Sequence, residues 1–137
     1  MKKVILALVM TSAMALANTA ATNAVATDAT TVDATMKLMK QGMDDIQSGF
    51  LYNNKEAITK GIGTIESANS IFSKVDVSSF IPHNNKIQVT KNINSNLAAD
   101  LKLMRKSIDE KNYSGATEYY GKVINDCISC HIIIRRW

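Results

Sequence analysis

The sequence predicts an all-α protein, an antiparallel four-helix bundle, and two observations support this. Apolar residues recur at steps of three and four in four separate runs, as they do along one face of an α-helix. No run shows the apolar–polar alternation of a β-strand, and the links between the runs are mostly short, as between antiparallel neighbours in a bundle. Of the 137 residues, residues 32–137 are predicted to form this single domain.

The first two helices are predicted from runs that begin at Val32 and Ile58. The first run is unbroken, and its members are Val32, Met36, Met39, Met43, Ile46 and Phe50. The second run ends near Lys74, and its members are Ile58, Ile62, Ile65, Ala68 and Phe72. Gly61 and Gly63 weaken the second helix intrinsically, but glycine also permits close packing of a neighbouring helix.

The last two helices follow a longer gap that contains Pro82, the only proline. The third run consists of Ile87, Thr90, Ile93, Leu97, Leu101, Met104 and Ile108. The fourth run consists of Ala116, Tyr120, Val123, Cys127, Cys130 and Ile134, with Ser114 as the candidate N-cap. Each run predicts an amphipathic helix with one buried face.

The N-terminus has the features of a secretory signal peptide. Lys2 and Lys3 precede an apolar stretch that ends in Ala15-Leu16-Ala17, an A-x-A cleavage signal. Residues 1–17 are therefore predicted to direct export to the periplasm. The alternative is a retained membrane anchor, for which the apolar stretch is short. Residues 18–31 are rich in Ala, Thr and Asn without apolar periodicity, which predicts a flexible start of the mature chain.

Residues 127–131 read Cys127-Ile128-Ser129-Cys130-His131, which is the attachment motif of a c-type haem. Two thiols about one helical turn apart can add across the two vinyl groups of one haem. The adjacent His131 then supplies the proximal ligand of the iron. Both cysteines of the chain belong to this motif, so none is left for a disulfide bond.

The charge of the chain gives no reason to expect a nucleic-acid partner. Removal of residues 1–17 takes away Lys2 and Lys3 and no acidic residue, so the formal net charge falls from +4 to +2. Two haem propionates would bring the total near zero. The basic character of the precursor is therefore no sign of nucleic-acid binding.

With Cys127, Cys130 and His131 on its last helix, the chain resembles the class II cytochromes c, the cytochrome c-prime type. The apolar pattern from Met36 to Phe50 is similar to the first helix of that family. Arg135 matches an arginine that often follows the motif, whereas Ile134 replaces the family's tyrosine. The resemblance implies one covalent haem inside the bundle, and Arg135 becomes a candidate contact of a propionate, the alternative being a solvated side chain.

The sixth ligand of the iron stays open at this point. The resemblance implies either a methionine from the first helix or an apolar residue that leaves the site empty. Methionines are candidates because a thioether is soft enough to bind haem iron. Met36 and Met39 are nearly equal candidates, and Met43 ranks third. His83 would give bis-histidine ligation, but it lies in a polar stretch that is typical of a solvated loop.

The expected function is electron transfer in the periplasm by cycling of the haem iron between Fe(II) and Fe(III), with no substrate transformed, so the protein is not expected to be an enzyme. The alternative is a five-coordinate protein of the cytochrome c-prime type that binds nitric oxide or carbon monoxide. A peroxidase is less expected, because the first helix offers no His/Arg pair. The expected partners are periplasmic redox proteins and the cytochrome c maturation machinery, and a homodimer is compatible with the sequence.

Overall fold

The computed structural model describes the backbone of residues 12–79 and 86–135 and the side chains within 30–78 and 86–134. This part of the chain forms four α-helices: α1 (Ser12–Leu51), α2 (Lys55–Phe72), α3 (Ile87–Asp109) and α4 (Tyr113–Arg135). A short 3-10 helix, Val77–Ser79, follows α2, and the described residues contain no strand. The predicted all-α class is confirmed, and the four helices are compatible with the predicted bundle.

The four predicted apolar runs line the core of the protein. Their largest fully buried side chains are Ile46, Ile62, Ile65, Leu101, Met104, Ile108 and Val123. Other members are partly buried and pack against this core, namely Val32, Met36, Met43, Phe50, Ile87, Tyr120 and Ile134. The apolar periodicity therefore identified the buried face of each helix correctly.

Polar contacts hold α2 and α3 antiparallel. The Arg105 guanidinium donates hydrogen bonds to both carboxylate oxygens of Glu66, at 2.6 and 3.4 Å. Further along α2, the Asn69 side-chain amide donates to the backbone carbonyl of Asn94 at 3.2 Å. Residue numbers rise along α2 while they fall along α3, so the two helices run in opposite directions.

The helices α1 and α2 approach each other backbone to backbone at Gly42 and Gly61. A Cβ atom on Gly61 would lie 2.5 Å from the carbonyl oxygen of Gly42 and 2.7 Å from the side chain of Ile46. A Cβ atom on Gly42 would lie 2.7 Å from the carbonyl oxygen of Gly61. These distances are too short for real atoms, so the helix spacing depends on glycine at both positions. Gly63 has no such role, because its nearest neighbour is Arg105 Nη2 at 3.7 Å.

Asparagine side chains cap the helices that follow the two tight turns. Asn54 Oδ1 accepts a hydrogen bond from the backbone N–H of Ala57 at the start of α2, at 3.0 Å. Asn112 Oδ1 accepts from the N–H of Gly115 at the start of α4, also at 3.0 Å. The predicted cap Ser114 is therefore wrong: Asn112, two residues earlier, fills that role, because α4 begins at Tyr113.

The helix α1 begins at Ser12, upstream of the first apolar run, and includes residues 18–31. The flexibility that the sequence predicts for these residues stays a prediction. Val32, the first member of the predicted run, packs against the core. Residues 1–11 of the predicted signal peptide lie outside the described part, in which no helix is both long and apolar enough to cross a membrane.

Replacement of Gly61 by alanine tests the close contact of α1 and α2. We expect Gly61→Ala to lower the free energy of unfolding by about 1–3 kcal/mol, because the new methyl group forces the helices apart. Gly63→Ala is the matched control in the same helix, and its higher helix propensity should raise the free energy of unfolding by up to about 1 kcal/mol. Chemical denaturation of both variants measures the difference, and equal stabilisation by both would contradict the contact.

Candidate functional site

A solvent-accessible cavity of about 190 Å³ lies between the four helices. Its wall is mainly apolar. The helices α1, α2 and α3 contribute Met36, Met39, Lys40 and Met43 (α1), Phe72 (α2), and Ile93, Asn94 and Leu97 (α3). The helix α4 contributes Asp126, Cys127, Cys130 and His131.

The cavity brings together most of the residues that the sequence singled out. Cys127, Cys130 and His131 lie in its α4 wall, and Met36 and Met39 lie in the facing α1 wall. The two groups are about ninety residues apart in the chain, so only the fold makes them neighbours.

Two other candidates lie beyond the description of the site. The helix α4 ends at Arg135, whose side chain is not among those described. His83 belongs to residues 80–85, which lie outside the described residues. Propionate binding by Arg135 and bis-histidine ligation through His83 therefore stay predictions.

The helical geometry of α4 presents the motif on one side. Cys127 and Cys130 are three residues apart, and His131 is four residues after Cys127, so all three side chains fall within about one third of the helix circumference. Each is half-buried. The two thiols and the imidazole thus reach the cavity together, as attachment and ligation of one haem require.

Burial makes both thiols weakly acidic. It raises the pKa of the Cys130 thiol to about 11, with the neighbouring Cys127 as a second cause. Burial, followed by the charge of Asp126, also raises the pKa of the Cys127 thiol. Thiol–disulfide enzymes depend on a thiolate whose pKa is lowered, often at a helix N-terminus. The middle of α4 offers the opposite environment, which argues against a dithiol oxidoreductase.

The register of α1 against α4 follows from one aromatic contact. The rings of Phe50 and Tyr120 have centroids 5.7 Å apart. Met39 lies eleven residues before Phe50, and His131 lies eleven residues after Tyr120. Because antiparallel helices advance by the same rise per residue, Met39 and His131 lie at about the same level across the cavity. The side chain of Met39 is also largely buried, whereas Met36 is half-buried.

Two charged residues of the cavity wall were not singled out as site residues from the sequence. Lys40 is exposed, and its Nζ pairs with Asp44 at 2.6 Å. The Oδ2 atom of Asp126 is buried without a hydrogen-bond partner among the described residues. Burial, followed by the charge of Asp100 on α3, raises the pKa of the Asp126 carboxyl. Because Asp126 directly precedes Cys127, the sequence could have indicated that it lies near the site. Its burial and its closeness to Asp100 depend on the tertiary structure.

The donor set fits a haem. A haem iron needs only axial ligands from the protein, and the cavity offers one imidazole with thioethers on the facing wall. Two thiols are present for the vinyl groups, and apolar side chains are present for the macrocycle. The described residues contain no cluster of three or more His, Cys, Asp or Glu side chains that could hold a bare metal ion.

Loss of the attachment thiols should weaken the fold. We expect Cys127→Ser/Cys130→Ser to prevent covalent attachment and to lower the midpoint of thermal unfolding relative to the haem-loaded protein. The apolar walls would then face water instead of a bound group, and the stabilisation that ligand binding supplies would be lost. Near-ultraviolet circular dichroism during heating measures this, with Ser129→Ala as the control between the two cysteines. An unchanged cooperative transition in the double variant would place the cofactor elsewhere.

Comparison with known proteins adds no relative. No protein-family model, no curated protein and no solved structure matches the chain. The motif and the geometry of the cavity therefore carry the functional assignment.

Proposed function

We propose that the protein is an exported c-type cytochrome that carries one covalently bound haem and transfers electrons by cycling between Fe(II) and Fe(III). One observation carries this proposal: Cys127, Cys130 and His131 line the same apolar cavity as Met36 and Met39. A chance occurrence of the motif would not require its three side chains to line one apolar cavity together with thioethers from another helix.

Each of these residues has a defined role in the proposal. Cys127 and Cys130 form the two thioether bonds, and His131 is the proximal ligand. Met39 is the first candidate for the sixth ligand, because it is buried at the level of His131, and Met36 is the second. When bound, the haem supplies the one-electron chemistry. The packed helices hold both ligating side chains in place, so little rearrangement accompanies the change of charge.

The remaining parts of the proposal concern charge and location. Lys40 in the cavity wall and Arg135 at the end of α4 are the candidate cations for the propionates. Export to the periplasm follows from the sequence of residues 1–17, and attachment then requires the cytochrome c maturation machinery. The partners are one-electron redox proteins of that compartment.

A gas-binding protein is the second candidate function, and the apolar wall of the cavity favours it. If neither methionine ligates the iron, Met36, Met39 and Met43 would form an apolar pocket at its open position. Nitric oxide and carbon monoxide are small and nearly apolar, so such a pocket would admit them.

The mass of the mature protein tests haem attachment. We expect the protein from a host that matures c-type cytochromes to exceed the mass of the processed polypeptide by one haem, even after extraction with acid and acetone. Covalent thioether bonds survive this extraction, whereas ligation alone does not. Cys127→Ala and Cys130→Ala should each leave at most one thioether bond. A wild-type mass equal to that of the bare chain would contradict the proposal.

Substitution of the two methionines distinguishes the two functions. With Met39 as ligand, we expect low-spin ferric spectra and a ferrous form that resists carbon monoxide. Met39→Ala should then give a high-spin form that binds carbon monoxide, whereas the matched variant Met36→Ala should keep the wild-type spectrum. The reverse result would identify Met36 as the ligand. A wild-type protein that is already high-spin and binds carbon monoxide rapidly would favour the gas-binding function instead.

A further inference from the structure

Asp126 is the acidic residue of the cavity wall. It directly precedes Cys127 on α4, and its Oδ2 atom is buried with no hydrogen-bond partner among the described residues. The neighbouring parts of the wall are apolar side chains such as Ile93 and Leu97. A carboxylate in such surroundings is screened much less than one in water, so its charge acts strongly on other charges in the cavity.

The charges that face Asp126 from α3 and α4 do not neutralise it. Asp100 on α3 carries the same sign, and after burial it is the second cause of the raised pKa of the Asp126 carboxyl. On α4, Lys122 lies one turn before Asp126, but its Nζ pairs with Glu118 at 2.9 Å. These two helices therefore leave a net negative charge beside the cavity.

The other two helices offer little compensation. From α1, the one cation of the cavity wall is Lys40, which pairs with Asp44. From α2, only Phe72 reaches the wall, and it carries no charge. The remaining titratable groups are His131 and the two thiols, which are committed to the iron and to the thioether bonds in the proposed function.

We propose that Asp126 lowers the reduction potential of the cytochrome, because its carboxylate stabilises the more positive, oxidised iron. This inference rests on the proposed function. Reduction adds one electron, supplied by a one-electron donor protein, and removes one positive charge from the site. The Asp126 carboxylate then binds a proton from solvent more tightly, so at low pH, near its pKa, proton uptake accompanies reduction, whereas at high pH the group stays ionised. The reduction potential should therefore rise as the pH falls through the pKa of this group.

Potentiometric titration of the haem-loaded protein between pH 4.5 and pH 8 tests this role. We expect Asp126→Asn to have a higher potential than the wild type at pH 8, and the difference should shrink toward pH 4.5. Asp126→Glu, which restores a carboxylate, should return the potential toward the wild-type value. The control is Asp109→Asn at the far end of α3, where the exposed carboxylate pairs with Lys55, and its potential should be unchanged.

Several outcomes would overturn the inference. An Asp126→Asn potential equal to that of the wild type at pH 8, or a shift of the same size in Asp109→Asn, would show that the carboxylate has no specific effect. Where Asp126→Asn fails to fold or to bind haem, a wild-type potential that does not change between pH 4.5 and pH 8 would be equally decisive. If the wild type binds haem and is redox-active, each of these outcomes overturns the inference but leaves the proposed function intact. A wild type that takes up no haem overturns both the inference and the proposed function.

Discussion

The contact between Gly42 and Gly61 is the constraint on which the rest of the structure depends. It brings the backbones of α1 and α2 so close that no side chain fits between them. The face of α1 that carries Met36 and Met39 is thereby turned toward α4 and held at a fixed height. The facing helix touches α1 near Phe50 and Tyr120 but leaves a cavity toward His131. Tight packing at one interface thus sets the width of the opening at another.

The chemistry of the cavity follows from burial. The same apolar surroundings raise the pKa values of the thiols, and the Oδ2 atom of Asp126 is buried. Protonated thiols are poor nucleophiles. A carboxylate that gains no hydrogen bond loses stability on burial, so its presence in the wall calls for an electrostatic role.

In the proposed function, electron transfer and gas binding would differ by a single bond in this site. A thioether from α1 that ligated the iron in both oxidation states would leave no room for a gas. A thioether that falls short leaves an apolar pocket on the same wall. Met39 is favoured as the ligand because it is buried at the level of His131, a relation that depends on the register of α1 against α4.

The helices and their buried faces could be predicted from local sequence patterns, and the candidate haem motif could be found in the same way. Apolar periodicity depends only on local spacing, so Ile62, Leu101 and Val123 could be placed in the core without knowledge of their neighbours. The attachment motif is likewise local, because its three residues lie within five positions.

The surroundings of the motif depend on how the four helices pack against one another. Gly61 contacts Gly42 closely, whereas Gly63 contacts no helix backbone, and this difference depends on which side of α2 meets α1. The level of Met39 opposite His131 depends on the antiparallel register of two helices that are far apart in the chain. The burial of Asp126 beside Asp100 depends on the packing of α3 against α4. The physical reason is the same in each case: spacing along one helix fixes its faces, but contacts between helices fix distances across the cavity.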